Sequence, residues 1–595
     1  MGSPTSSDKI PRREMMKVVG GGLATAGIAS LAGCSESAGG SSSAFIFSNN
    51  QDLAATTANH YSATRSENKK IPALMYESYL NNNSRSGETT YNLIEEFSVD
   101  GSTLTFSIQD DRTWHNGDPV TAEDVVTHFR LAVATGNDPN LGITDAQFSG
   151  ISQVDEHTVE VELNGEYNEQ LIRTRIFGAG SNTARGACLW TKTSEFGEYA
   201  DTWANASSES ERESVVTELT ELTIDHQDII GNGLYQIDET SGTEFTFSLY
   251  EDHPEAGDVD IDEIRMPVIM PSAFIPAARS GEHDTVRHFS PTADVAESPP
   301  SGWNTETVPG GSRGGPALIP NHQHEIYGMR EVKQAFAHII QSPEVVATIG
   351  EHIATPVPPT NTFSQTFMDE YMGDPIEGNV NVYDSTDEAA SLLESAGFTQ
   401  DGGTWYQPNG NQFSPTISTW STGPYAPAAR TVAGNLSSFG IETDVLVEEN
   451  STFFTNYPEG SYDLAMEHWG AGTSHPYFGM TRNFTGFGGG SMQFPEEVSV
   501  PPVGDMEGEE ETVNVDEMLN SVLLASDNEE MIQSMREVAW VANVTLPVIP
   551  AVETQALLLY NESDWNWPEN GSDTWGYQNV RVPWFIETGE LSSSN

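Results

Sequence analysis

Residues Thr103–Arg130 read TLTFSIQDDRTWHNGDPVTAEDVVTHFR. Leu104, Phe106 and Ile108 alternate with polar residues, the period of a half-buried strand. A turn follows, Trp114-His115-Asn116-Gly117-Asp118-Pro119. Pro119 ends it, because proline is excluded from a helix interior. Thr121 then reads as a helix N-cap, and Asp124 three residues later resembles the second half of a capping box. Glu123 and Asp124 also complement the positive helix end. Val125, Phe129 and Val133 recur at i, i+4 and i+8, which predicts one buried helix face. Trp114 is expected to pack under the turn, where an indole buries much apolar area. His115 reads as a structural hydrogen-bonding residue rather than a ligand or a base. Asp110 and Asp111 read as solvated carboxylates rather than a paired acid.

Working outward, the same alternation recurs at Val159/Val161/Leu163 and Phe245/Phe247/Leu249. Val332, Ala335, Phe336, Ile339 and Ile340 form a helical stripe. Ser342-Pro343-Glu344 reads as a new helix start, with Ser342 as N-cap and Pro343 at the first position. Ala389, Leu392, Leu393 and Ala396 form another stripe, stopped by Gly397. Mixed strands and helices predict an α/β protein. Three stretches read as surface insertions: the acidic, Ser/Thr-rich residues 191–226, the Pro/Gly/Ser-rich residues 290–317 (a link between lobes), and an acidic loop at 495–516. Asn205-Ala206-Ser207 and Asn450-Ser451-Thr452 are compatible with surface glycosylation.

The chain has 595 residues with 37% hydrophobic content, enough to bury a large core. Against 88 acidic residues stand 25 basic ones, six of them lysine, for a net charge of −63. Such a surface repels itself in dilute buffer. In molar salt the Debye length falls to about 3 Å and the repulsion is screened. The charge therefore reads as adaptation to a very salty medium. It also excludes nucleic acid as a partner, because that needs a basic footprint. At the N-terminus, Arg12-Arg13-Glu14-Met15-Met16-Lys17, the weakly apolar run Val18–Gly33 and Leu31-Ala32-Gly33-Cys34 resemble a twin-arginine export signal joined to a lipobox. Residues 1–34 are then the signal, Cys34 the lipidated residue, and 35–44 a flexible tether. Only Cys188 remains, so the mature chain has no intramolecular disulfide.

The opening run resembles the signature of the family 5 extracellular solute-binding proteins of ABC importers, the oligopeptide/dipeptide-receptor family. Other stretches are similar to that family's motifs, in its order. They are Ala73–Leu80, Gly231-Asn232-Gly233-Leu234-Tyr235, Val332–Pro359, Ala390–Gly403, Ala429–Ile441, Tyr462-Asp463-Leu464 with Trp469-Gly470, and Leu546-Pro547-Val548-Ile549-Pro550. The resemblance implies a two-lobed periplasmic-binding-protein type II fold with an additional domain, its lobes joined by a hinge that closes on the ligand. It divides the chain into a first lobe at 45–72, 227–300 and 541–595, an extra domain at 73–226, and a second lobe at 301–540.

The same resemblance implies ligand contact in residues 418–425 and 469–475, at Trp420, Tyr425, Trp469, Gly470 and Gly472. Peptide receptors of the family often carry an Asp where this chain has Gly472. Dipeptide receptors carry an Arg where it has Gly423. A charged ligand terminus enclosed without its partner costs several kcal/mol. An oligopeptide-like solute is the first reading, a neutral oligosaccharide against the aromatic rings the second, and nickel a lesser one. The implied partners are a membrane permease with its ATPase subunits, and the membrane through the lipid anchor on the extracellular face. The receptor is expected to be a monomer without cofactor or metal. A secreted hydrolase is disfavoured, since there is no Gly-x-Ser-x-Gly elbow, P-loop or His-Glu-x-x-His. His322-Gln323-His324-Glu325 reads as a polar loop rather than a metal site.

Overall fold

The computed structural model of the chain describes residues 44–47, 57–62, 70–83, 85–86, 88–136, 143, 148–177, 187–270, 273–288, 293–309, 314–371, 380–472, 475–577 and 581–594. The twin-arginine stretch, Cys34 and the tether through Ser43 lie outside the described residues.

The opening run folds as its periodicity predicts. β1 (Ile94–Asp100) and β2 (Thr103–Ile108) pair antiparallel, α1 (Ala122–Thr135) follows, and β3 (Phe148–Gln153) and β4 (Thr158–Leu163) complete a sheet in the order β1-β2-β4-β3. Leu104, Phe106 and Ile108 are buried on one face, against Val125, Phe129 and Val133 of α1. Asp124 fixes the turn. Its Oδ2 accepts the Thr121 amide and the Trp114 indole N–H, both at 3.1 Å, and its Oδ1 accepts the Thr193 amide at 2.7 Å. Three donors on one buried carboxylate satisfy the charge and lock Trp114, which is fully buried. Asp110 is exposed, as expected of a solvated carboxylate, and exposed Asp111 accepts from the Arg112 guanidinium at 3.0 Å.

Three of the matched motifs meet at this turn. The amides of Asn232 and Gly233 both donate to the Met75 carbonyl, at 3.0 and 2.9 Å, and the Glu77 amide donates to Asn232 Oδ1 at 3.0 Å. The His115 amide donates to the Gly231 carbonyl at 2.8 Å, and its Nε2 lies 2.8 Å from the Gly233 carbonyl. A Cβ on Gly231 would stand 2.1 Å from the Met75 carbonyl oxygen, so only glycine fits. Burial pushes the His115 imidazole down to about 4, which leaves it a neutral donor at neutral pH.

After α2 (Glu169–Phe177), the acidic stretch expected as a surface insertion folds as a helical hairpin, α3 (Thr193–Asn205) and α4 (Glu209–Glu221). Phe196, Ala200 and Leu219 bury a small core with Tyr61 and Leu131. Its apolar residues are few but correctly spaced, and the acidic ones face water. Asn205, of the first glycosylation triplet, is exposed at the end of α3.

A second sheet is built from β5 (Tyr235–Thr240), β6 (Glu244–Leu249) and β7 (Glu263–Pro267), with the strand Phe45–Ile46 parallel to β7. β8 (Thr285–His288) and β9 (Trp303–Pro309) lie further along the chain, followed by β10 (Gly314–Pro320), α5 (Arg330–Ile339), β11 (Thr416–Trp420), α6 (Tyr425–Ser438), β12 (Asp444–Glu448), β13 (Leu464–Gly470), α7 (Pro476–Phe484), β14 (Glu497–Val500), β15 (Glu511–Asn514), α8 (Asn528–Thr545), β16 (Ile549–Pro550) and β17 (Glu553–Asn561). Five of these form a sheet in the order β12-β11-β13-β10-β16, while β8 and β9 flank β17 in another.

These pairings shift two expected boundaries. β9, placed in the second lobe by the resemblance, runs antiparallel to β17 with Trp303 opposite Asn561. β16, placed in the first lobe, pairs with β10 through Ala317 and Pro550. The chain thus leaves one sheet at Pro309, joins the other at Gly314, and returns between Pro550 and Glu553. Residues 73–190 share one hydrophobic core with segments at 234–266 and 556–591, so the signature sheet is not separately cored. The stretch 290–317 carries β9 and the start of β10 rather than a plain linker. The acidic loop at 495–516 contains the hairpin β14–β15, held by Val498 and Val500 buried against α8. Ser342 lies inside its helix, Gln341 being the cap, and its Oγ accepts the Val357 amide at 3.1 Å.

Candidate functional site

β11 and β13 are parallel, with Ile417 opposite Leu464, so both carboxyl ends reach the same sheet edge. β10 runs antiparallel to β13 and begins at that edge, with Gly314 opposite Gly470. The edge therefore gathers Trp420–Tyr425, Gly470–Gly472 and one of the two crossings between sheets. Carboxyl-end edges of open α/β sheets are where such folds bind ligands, because diverging loops leave a crevice there.

The second crossing is fastened to the same edge. The Trp469 indole N–H donates to the Val552 carbonyl at 3.0 Å, and Thr554 Oγ1 donates to the Gly314 carbonyl at 3.1 Å. A Cβ on Gly315 would meet the Val552 carbonyl oxygen at 2.5 Å. Trp469, expected as a ligand contact, is only 1% exposed. Its position on β13 points it into the core with Ala317, Phe453 and Tyr457, and its one polar atom is engaged by backbone.

Trp420 and Tyr425 are half-buried and brought together. Their rings stack at 4.5 Å with 27° between planes, and Phe454 leans on Trp420 at 5.0 Å. The Trp420 indole nitrogen has no hydrogen-bond partner. The Tyr425 hydroxyl, held protonated by burial, lies 3.1 Å from His468 Nδ1. Burial, and then the charge of Arg482, push the His468 imidazole down to about 3. The intervening turn is pinned by Asn450. Its Oδ1 accepts from Ser421 and Thr422, both at 3.2 Å, and its Nδ2 donates to Thr422 at 2.9 Å. That asparagine opens the second glycosylation triplet, and its amide is engaged.

Gly470 and Gly472 serve the backbone. The Gly470 amide and carbonyl are both held by the Asn483 side chain at 2.8 Å, and a Cβ would press on Arg482 at 3.0 Å. Gly472 has φ +86°, and a Cβ there would stand 2.2 Å from the His475 carbonyl oxygen. Gly423 has φ +74°. An Asp or Arg is thus opposed at 472 and 423 by the turns themselves.

Beneath the edge, buried Glu467 reaches Arg482 at 3.3 Å. Desolvation pushes its carboxyl up to about 7, with Arg482 pulling the other way. His475 caps α7 by accepting the Tyr477 amide at Nδ1, 3.1 Å away, while its buried Nε2 has no partner. Burial pushes that imidazole down to about 3. Sequence reasoning missed His468, Asn483, Asn450 and His475. Only His475-Pro476, a polar residue before a proline that opens a helix, carried a readable signal.

Among the described residues, one carboxylate–imidazole group has metal-like spacing: Glu77, His253 and Glu255. Arg112 already sits among them, 2.6 Å from Glu255 and 3.6 Å from Glu77, while His253 Nε2 is 2.6 Å from Glu77. His322 and His324 do not converge. Their nitrogens go to the Pro547 carbonyl and the Ile326 amide. No described helix is long and apolar enough to cross a membrane.

A two-lobed solute receptor accounts for this architecture. Residues 76–491 match the bacterial extracellular solute-binding proteins, family 5 (middle region), and the chain belongs to that family. No curated protein sequence matches the chain. Among solved structures it is similar to the mannohexaose-bound periplasmic oligopeptide-binding protein of Thermotoga maritima, with a TM-score of 0.68, 14% identity, and 93% of this chain and 99% of that one covered. It is similar to Campylobacter jejuni NikZ in complex with Ni(L-His), with a TM-score of 0.66, 16% identity, and 92% and 99% covered. The oligopeptide-binding protein AppA of Bacillus subtilis, in complex with a nonapeptide, gives a TM-score of 0.64 at 14% identity, with 93% and 99% covered. At these identities the likeness carries the fold.

Proposed function

We propose that this chain captures an oligopeptide-like solute at the shared edge of β11 and β13, without chemistry, and hands it to an ABC permease. The convergence of two parallel strand ends with both inter-sheet crossings carries the reading. Closure would bend the crossing at 550–553 over whatever occupies the edge. Export by the twin-arginine leader and lipidation of Cys34 would hold the receptor on the extracellular face, as a monomer. Trp420 and Tyr425 are the proposed contacts, with Trp469 supporting them from below.

A neutral oligosaccharide is the second reading. The Trp420–Tyr425 stack favours it, as does the positive φ at Gly423 and Gly472, which opposes the charged residues that would hold peptide termini. Thermal-shift screening in molar salt, against di- and nonapeptides, malto- and cello-oligosaccharides and Ni²⁺, decides between them. A ligand at 100 times its Kd stabilises by about 2.7 kcal/mol. Trp420→Ala should weaken the active ligand at least tenfold with the fold intact. Unchanged affinity would remove the edge from the site, and turnover of a bound peptide or glycoside would remove the receptor reading.

A further inference from the structure

In a chain of net charge −63, a lysine buried without an ion pair among the described residues is unusual. Lys333, on α5, is 6% exposed and forms no ion pair among the described residues, whereas Lys192 pairs with Asp118 at 2.6 Å. The Lys333 ammonium donates to the Thr545 carbonyl and, at 3.4 Å, faces His322 Nδ1. His322 Nε2 donates to the Pro547 carbonyl at 2.9 Å, which leaves Nδ1 a neutral acceptor. The Phe494 ring lies 5.7 Å from the ammonium. These direct contacts are neutral, while the nearby charges of Arg330 and Glu331 act on the ammonium in opposite senses.

Lys333 also lines a cavity of about 240 Å³ between the start of α5 and the strand β14 of the acidic hairpin. Arg330 lines the same cavity, and its guanidinium is bound to Glu510 at 2.5 Å and to the Ser499 carbonyl. That pairing holds the Glu510 carboxyl below its usual range. The one carboxylate lining the cavity, Glu497, is exposed and pairs with neither cation. Two cations thus share a partly open cavity whose lining gives Lys333 no ion-pair partner. An unpaired buried ammonium costs several kcal/mol unless it is neutralised.

We infer that this cavity binds a small monovalent anion of the chloride class between Lys333 and Arg330, fastening the acidic hairpin to α5. The volume holds a halide with a few waters, at roughly 30 Å³ each. Burial, aided by Arg330 and opposed by Glu331, pushes the Lys333 ammonium down to about 7. A neighbouring anion would oppose that shift and keep the charge.

The test uses the full chain. Crystals of the wild-type protein soaked in bromide should show an anomalous peak in the cavity, and its absence would overturn the inference. In solution, the wild-type thermal midpoint should be higher in sodium chloride than in sodium gluconate of equal ionic strength, by a saturable increment. Lys333→Met should abolish that increment, whereas Arg265→Met, at a surface pair, should keep it. An increment of equal size in Lys333→Met would refute the site. Should Lys333→Met not fold, the bromide peak decides alone.

Discussion

Trp469→Phe separates packing from ligand contact at the residue where the two readings diverge most. In the structure the indole is 1% exposed and its N–H donates to the Val552 carbonyl at 3.0 Å. Phenylalanine keeps an aromatic ring there but has no donor. The orphaned carbonyl should cost about 1–3 kcal/mol. A void of roughly 40 Å³, at about 24 cal/mol per Å³, adds about 1 kcal/mol. The sum predicts a loss of about 2–4 kcal/mol, readable as a lower urea midpoint followed by circular dichroism in molar salt. Because the indole faces the core rather than the edge, affinity for the active ligand should fall less than tenfold, about 1.4 kcal/mol. A stability loss under about 1 kcal/mol, together with a larger loss of affinity by calorimetry, would refute this reasoning and return Trp469 to the ligand.

Three further perturbations probe the frame around the site. Asp124→Asn puts an amide where three donors converge, so at least one hydrogen bond is lost; unfolding should be easier by about 2–4 kcal/mol. A loss under about 0.5 kcal/mol would mean that the turn does not depend on this carboxylate. Gly472→Ala meets both a positive φ and a 2.2 Å clash, whereas Gly434→Ala, inside α6, has nothing within 4 Å. The first should cost more than about 2 kcal/mol and the second should stabilise by about 0.5–1 kcal/mol; equal midpoints would contradict the turn geometry. For Glu467, the folded carboxyl near 7 binds a proton that the unfolded chain releases near 4.5. Its contribution is therefore present below pH 4.5 and lost as pH rises through 7, by at most about 3–4 kcal/mol. Glu467→Gln should flatten that part of the profile, and parallel wild-type and variant curves from pH 4.5 to 7.5 would disprove the shift.

Local periodicity made the signature sheet, the stripe of α5 and the capped start of α1 legible, because each is written in residues close together in sequence. The motif order also pointed to 418–425 and 469–475 as site regions, and the parallel pairing of β11 and β13 brings Trp420 and Gly470 to one edge. What escaped was long-range pairing. No local signal assigns β9 to β17, some 250 residues away, or β16 to β10. Polarity misled at the acidic stretches. Residues 193–221 look like a surface insertion because their faces are acidic, yet four buried apolar side chains suffice to dock both helices. Trp469 shows the same limit at one residue: a tryptophan before a glycine reads equally as a platform or a wedge, and only the partner of its N–H decides.

The glycines at 423 and 472 change what the departure from charged recognition means. Taken as missing side chains, they describe a receptor that lost two ion-pair partners and could regain them by substitution. With φ at +74° and +86°, they are turns in which a substituted Asp or Arg is opposed by the backbone itself, which fits the proposal of a ligand held by rings and backbone. Salt sharpens the point. Exposed charge recognition weakens as the Debye length contracts, while stacking on Trp420 and Tyr425 does not depend on that screening. If a chain of net charge −63 works in concentrated salt, as its composition predicts, it has good physical reason to recognise its solute through contacts that salt leaves intact.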